Sequence, residues 1–128
     1  MPRKIRVLIA DDHRLFAEAL EAFLSNDERI EVVGTARDGE EAVQLARDQN
    51  PDVVLMDIAM PKVDGIEATK QIQRNGGSPC VLMLTGSNST GDVARAREAG
   101  ASAYVTKDKI ASHLLDAIIE LVTEPNGN

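Results

Sequence analysis

The stretch "VVLMDIAMPKVDG", Val53 to Gly65, begins as a continuous apolar run and then stops on a carboxylate, Asp57. A run with no polar alternation reads as a strand covered on both faces, which is the habit of parallel sheets. Working outward, five such β-branched or aliphatic runs recur: Ile5–Ala10, Ile30–Ala36, Asp52–Met56, Cys80–Leu84 and Ala101–Thr106. Their starts lie about 25 residues apart, the length of a strand plus a crossover helix.

Helical patterns fill the gaps. "HRLFAEALEAFLSN" places Leu15, Phe16, Ala19, Leu20, Phe23 and Leu24 on one expected face. "DGEEAVQLARDQNP" opens on Asp38 as N-cap, with Glu40 and Glu41 in the first turn, and ends before Pro51. "DGIEATKQIQRNGG" opens on Asp64 and stops at Gly76 and Gly77, while "TGDVARAREAG" closes on Gly100. "IASHLLDAIIELVTEP" ends before Pro125. The expected fold is α/β, a (βα)5 doubly wound parallel five-stranded sheet in flavodoxin-like order 2-1-3-4-5. Five units are too few for the eight-stranded closed barrel.

Composition narrows the function. At 128 residues the chain reads as one domain, 1–124, with 125–128 as a linker or cut end. Its net charge of -7 and 2% aromatic content argue against nucleic-acid contact by this domain. Cys80 is the single cysteine, so no internal disulfide is expected. No apolar stretch approaches the ~20 residues of a membrane helix, and no signal peptide is visible; a cytoplasmic chain is expected.

The strand ends carry the chemistry. The first run ends in Asp11-Asp12, the third in Asp57, the fourth in Thr85 and the fifth in Lys107. Open α/β sheets bind ligands outside the carboxyl ends of their strands, where the strand order reverses, here between strands 1 and 3. Three clustered carboxylates repel one another unless a cation is present, and Mg2+ takes one or two carboxylates together with phosphate oxygens. A carboxylate can serve as a nucleophile and form an aspartyl-phosphate. Lys107 and the Thr85 hydroxyl would then stabilise the equatorial oxygens. Each residue alone has a plainer reading: Asp12 as a helix cap, Thr85 as a strand residue, Lys107 as a surface lysine. Their conjunction on one sheet edge argues for a site. Neither His13 nor His113 has metal-ligand spacing, and His13 reads as a first-turn helix residue.

"IADDH", "VVLMDIAMPKVDG", "LTGS" and "AYVTKD" resemble the receiver domain of bacterial two-component response regulators, over Ile5 to about Val122. The resemblance implies Asp57 as phosphoacceptor, Asp12 as a direct Mg2+ ligand, Asp11 holding the metal mainly through water, and the backbone carbonyl of Ala59 completing the protein's share. Mn2+ is expected to substitute for Mg2+. Thr85 would be the switch hydroxyl, Lys107 the phosphate-binding lysine and Tyr104 the switch aromatic. Ala59 and Ser87 occupy positions that tune phosphoryl lifetime in the family. "DDH", Tyr104 and the Lys107-Asp108 pair are most similar to the NarL/LuxR-type subfamily. Many receivers carry proline after the lysine, often with a cis bond; Asp108 stands there instead.

The implied partners are a sensor histidine kinase, which supplies the phosphoryl group from its own histidine, and a C-terminal helix-turn-helix DNA-binding domain not contained in this chain. A homodimer on phosphorylation is a further expectation. The helix before Gly100, rich in Ala, is expected to be weakly anchored and able to shift. The last helix carries Ile110, Leu114, Ala117, Ile118 and Leu121 toward the sheet and Leu115, Ile119 and Val122 to one side, so a docking patch stands beside deep packing as its reading. The domain is expected to be a phosphoacceptor rather than an enzyme, although it assists its own phosphorylation and dephosphorylation. A stand-alone receiver acting by protein contact is the alternative to a transcriptional one. An aspartyl-phosphate phosphohydrolase is disfavoured, because the haloacid-dehalogenase pattern needs a second Asp where Ala59 stands. Pro61 is read as restricting the loop after Asp57, and Gly65 as letting the backbone turn tightly into the next helix.

Overall fold

The computed structural model describes residues 3–58, 60, 63–75, 79–86 and 90–123. Five strands alternate with five helices: β1 (Ile5–Ala10), α1 (Arg14–Ser25), β2 (Ile30–Ala36), α2 (Gly39–Gln49), β3 (Val53–Asp57), α3 (Gly65–Arg74), β4 (Cys80–Thr85), α4 (Thr90–Ala99), β5 (Ala103–Thr106) and α5 (Leu115–Thr123). The sheet is parallel throughout, in the expected order β2-β1-β3-β4-β5. β3 runs one residue later than expected at each end, so Asp57 is its last residue. β5 is shorter than expected because Ala101 and Ser102 lie before it.

Side-chain alternation along the strands splits the interior into two layers. Leu8, Ala10, Val54, Met56, Val81 and Met83 face α2, α3 and α4, where Ala42, Val43, Ile66, Ala68, Ile72, Ala96 and Ala99 meet them. Val7, Ile9, Val53, Leu55, Leu82 and Leu84 face α1 and α5, packed by Ala17, Leu20, Leu24, Leu114 and Ile118. All twelve strand residues are fully buried, as two covered faces require.

The caps follow the sequence. Asp38 accepts a hydrogen bond from the Glu41 backbone N–H at 2.8 Å, and Asp64 accepts one from Glu67 N–H at 2.9 Å. α2 closes on Asn50 in the left-handed conformation, φ 50°, and α4 is followed by Gly100 at φ 112°. α3 ends at Arg74 with Asn75 as cap; the glycines expected to stop it, Gly76 and Gly77, lie outside the described residues.

Three expectations need correction. On α1, Leu15 is 81% exposed and Ala19 is exposed, while Ala17 is buried; the inward stripe runs through Phe16, Ala17, Leu20, Phe23 and Leu24. The last helix does not begin as an α-helix: a 3-10 turn, Lys107–Lys109, leads into a π turn, Ile110–Leu114, before α5. Leu115 and Val122, assigned to the side of that helix, pack against the same layer as Leu114 and Ile118, so most of its apolar width is used internally. The peptide bonds among the described residues are trans.

Candidate functional site

β1 and β3 are neighbours, so their carboxyl ends deliver Asp11 and Asp57 side by side. The odd-numbered residues of both strands face α1 and α5, and the same parity carries Asp11 and Asp57 to that side. Asp11 and Asp57 are buried, at 1% and 4% exposure, while Asp12 is exposed. One ligand atom from each of Asp11, Asp12, His13 and Asp57 lies within 4.8 Å of all the others.

Among the described residues, the cations recorded against these carboxylates are Lys107 and, when protonated, His13. Lys107 Nζ donates to Asp11 Oδ2 at 3.2 Å and stands 3.7 Å from Asp57 Oδ2. Asp11 Oδ1 accepts the His13 backbone N–H at 2.7 Å. The His13 ring turns back over the cluster, with Nδ1 3.1 Å from Asp11 Oδ1, 3.3 Å from Asp12 Oδ1 and 3.9 Å from Asp57 Oδ2. Buried carboxylates persist only where such partners offset their desolvation.

His13 was not found by sequence reasoning, which placed it inside the first helical turn. It is the N-cap residue of α1, in extended conformation, and caps with no side-chain hydrogen bond. Its adjacency to Asp11-Asp12 was the available signal. The same observation removes the plainer reading of Asp12, which is not the cap of α1.

Thr85 ends β4 next to Asp57, is 4% exposed, and sits opposite Thr106 of β5. Continuing the parity of Met83, Thr85 lies toward the α4 layer, as does Tyr104, whose partner across the ladder is Met83. Tyr104 is 42% exposed and is not part of the acidic cluster. Ala59, Pro61 and Ser87 lie outside the described residues.

Gly65 brings α3 against the site. A Cβ there would lie 2.2 Å from the carbonyl oxygen of Asp57 and 2.9 Å from Ile58 Cα, while Gly65 N–H donates to Ile58 O at 2.9 Å. Its role is close approach; it needs no unusual backbone angle. Buried Thr69 closes the turn, donating to Gly65 O at 2.7 Å. Beside the site, the Thr106 hydroxyl holds the Asp108 carboxyl below its usual range.

The donor set suits a hard divalent cation: three carboxylates of two adjacent strand ends, with a positive side chain placed to face an incoming anion. His13 Nδ1 is a fourth candidate ligand atom. The cluster combines a buried carboxylate, further carboxylate oxygens and an ammonium, the kinds of group that phosphoryl transfer to a carboxylate needs.

Comparison with known proteins bears on the family and the fold. The response regulator receiver domain model matches residues 7–119. The transcriptional regulatory protein LiaR of Bacillus subtilis is 46% identical over 114 residues, covering 89% of this chain and 54% of LiaR. The chain spans about half the length of the relatives it matches. Among solved structures, the receiver domain of the putative response regulator NarL from Mycobacterium tuberculosis superposes with a TM-score of 0.91 at 31% identity, covering 96% of this chain and 99% of that one. A LuxR-family two-component response regulator from an Aurantimonas species gives 0.89 at 34% identity, covering 94% and 86%.

Proposed function

This chain belongs to the response regulator receiver domain family, as a NarL/LuxR-type member, and on that premise we propose that Asp57 accepts a phosphoryl group from a sensor histidine kinase. The observation that carries the reading is the buried Asp57 carboxylate clustered with Asp11 and Asp12, with Lys107 Nζ 3.7 Å from its Oδ2.

In the proposed step an Asp57 carboxylate oxygen attacks phosphorus. The bond from phosphorus to the donor histidine nitrogen breaks, and its electron pair leaves with the imidazole. Asp11, Asp12, Asp57 and the Ala59 carbonyl would hold Mg2+, or Mn2+ in its place. When bound, the ion neutralises charge on the transferred oxygens. Lys107 takes a second oxygen, and the Thr85 hydroxyl donates to a third. Drawing Thr85 toward the phosphoryl group vacates space on the α4 side of β4, into which Tyr104 turns from its exposed position.

The domain acts in the cytoplasm as a switch that assists its own phosphorylation and dephosphorylation and turns over no separate substrate. LiaR is named a transcriptional regulatory protein, which supports transcription as the output here, through an attached helix-turn-helix domain. Phosphorylation-driven homodimerisation is the proposed link between switch and output. Among the described residues the exposed large apolar side chains are Leu15 and Tyr104, so a dimer face on α5 would have to use half-buried side chains.

Incubation with Mg2+ and acetyl phosphate, followed promptly by intact-mass measurement, is expected to show one added phosphoryl group, with none on Asp57→Asn. No adduct on the native chain, or an equal adduct on the variant, removes Asp57 from this role.

A further inference from the structure

The ammonium of Lys107 does more than touch carboxylates. Its Nζ lies 4.3 Å from the centroid of the Phe16 ring. Phe16 stands in the first turn of α1, half-buried, and packs against the layer formed by β1, β3, β4 and α5. We propose that Phe16 is a positioning residue for phosphoryl transfer, holding the Lys107 ammonium over its face and aimed at the Asp57 oxygen that receives the phosphoryl group. The inference rests on the reading of Asp57 as phosphoacceptor.

Lys107 lies just beyond β5, where the chain has already left the ladder for a 3-10 turn. A lysine there has a flexible four-carbon stem and no geometry of its own. Asp11 Oδ2, its hydrogen-bond partner, is also a candidate metal ligand, so cation binding draws on the same oxygen. The ring face is a restraint that the metal does not compete for. It attracts the ammonium through the ring quadrupole and adds no negative charge beside an incoming anion. A carboxylate at position 16 would restrain the lysine equally well but would neutralise it and repel the phosphoryl group. The ring is fixed in turn by its packing under α1, so the restraint is already in place before the phosphoryl group arrives.

The experiment combines a spectroscopic and a kinetic readout. In the unphosphorylated native chain, the Lys107 Cε proton resonances are expected to be shifted upfield by the ring. Phe16→Leu should remove that shift and Phe16→Tyr should keep it. With acetyl phosphate and Mg2+, Phe16→Leu is expected to slow phosphorylation about two- to fivefold, the rate equivalent of an exposed cation–π contact, and Phe16→Tyr to restore it. In a Lys107→Gln background, Phe16→Leu should have no further effect, because the two residues act as one unit. A purely structural role for Phe16 predicts equal slowing in both backgrounds, and that result overturns the proposal. So does a Lys107 shift unchanged in Phe16→Leu, whether or not Asp57 is phosphorylated; failure of the native chain to take a phosphoryl group counts instead against the reading of Asp57.

Discussion

Asp57 is a carboxylate at the end of an apolar strand, 4% exposed, with two other carboxylates close by. Among the described residues, Lys107 Nζ stands 3.7 Å and His13 Nδ1 3.9 Å from its Oδ2. Buried like charges at this spacing oppose folding by on the order of a few kcal/mol before countercharges are considered. Without divalent cation, Asp57→Asn is therefore expected to stabilise the fold by about 1 kcal/mol, read as a higher urea midpoint at neutral pH. Mg2+ should stabilise the native fold by about 2.7 kcal/mol at a hundredfold excess over Kd, read as a raised urea midpoint, and raise the Asp57→Asn midpoint less. Gly65 has the opposite sensitivity. Because a Cβ there would lie 2.2 Å from Asp57 O, Gly65→Ala should cost about 3 kcal/mol by overpacking and slow phosphorylation by displacing Asp57; urea unfolding and intact mass over time check both. The convergence of Asp11, Asp12, Asp57 and Lys107 was legible in the sequence because each follows or closes an apolar run, and strand ends on one sheet edge must converge. His13 was not, because its contribution depends on a ring torsion and on extended backbone at the cap. Gly65 was found for the wrong reason: a sequence shows that a side chain is missing and not what has moved into its place.

At the level of elements, strands were the readable part. Their burial on both faces leaves apolar runs with clear ends, and β1 and β2 match expectation residue for residue. The phase of α1 was misread because Leu15 and Ala19 fit an apolar stripe as well as Ala17 does; the neighbours of α1 decide the stripe, and the helix sequence does not contain them. The π turn at Ile110–Leu114 follows no proline or glycine, so no local residue announces it. α4 fits its expectation of weak anchoring. Its described buried residues are two alanines, Ala96 and Ala99, with Val93 half-buried, whereas α3 buries Ile66, Ala68, Thr69 and Ile72. Little apolar area is lost when α4 opens, at roughly 25 cal/mol per Å2. Amide exchange in the unphosphorylated protein is expected to be faster in α4 than in α3 by about tenfold or more, measured residue by residue; equal protection would mean that α4 is held by something other than its side chains.

Across the whole molecule the sheet has a functional end and a fastened end. The carboxyl ends of β1 and β3 gather charges of one sign. Their amino ends are tied together by Asp52, which accepts Arg6 N–H on Oδ2 at 2.9 Å, returns its own N–H to Arg6 O at 2.8 Å, and receives both Arg3 guanidinium nitrogens at 2.8 and 3.1 Å. The clamp joins the central strands at the end opposite the site. Partial burial pushes the Asp52 carboxyl up, but the Arg3 side chain and the Arg6 N–H outweigh it, and its pKa lies below the usual value. Asp27 is pulled down to about 2 by the side chain and backbone N–H of Arg29. In an unfolded chain both would titrate near ~3.9. Above that pH both states are ionised and the full contribution to stability is present. As pH falls through the unfolded value toward the depressed folded values, the unfolded chain binds more protons and the contribution is lost. The urea midpoint of the native protein is therefore expected to drop between about pH 5 and pH 3. Asp52→Asn should have a lower midpoint at pH 6, having lost the clamp, and a shallower fall below it, because the titrating group is gone. A variant whose acid dependence stays as steep as the native would place the pH sensitivity elsewhere, with the carboxylates of the site the next groups to replace.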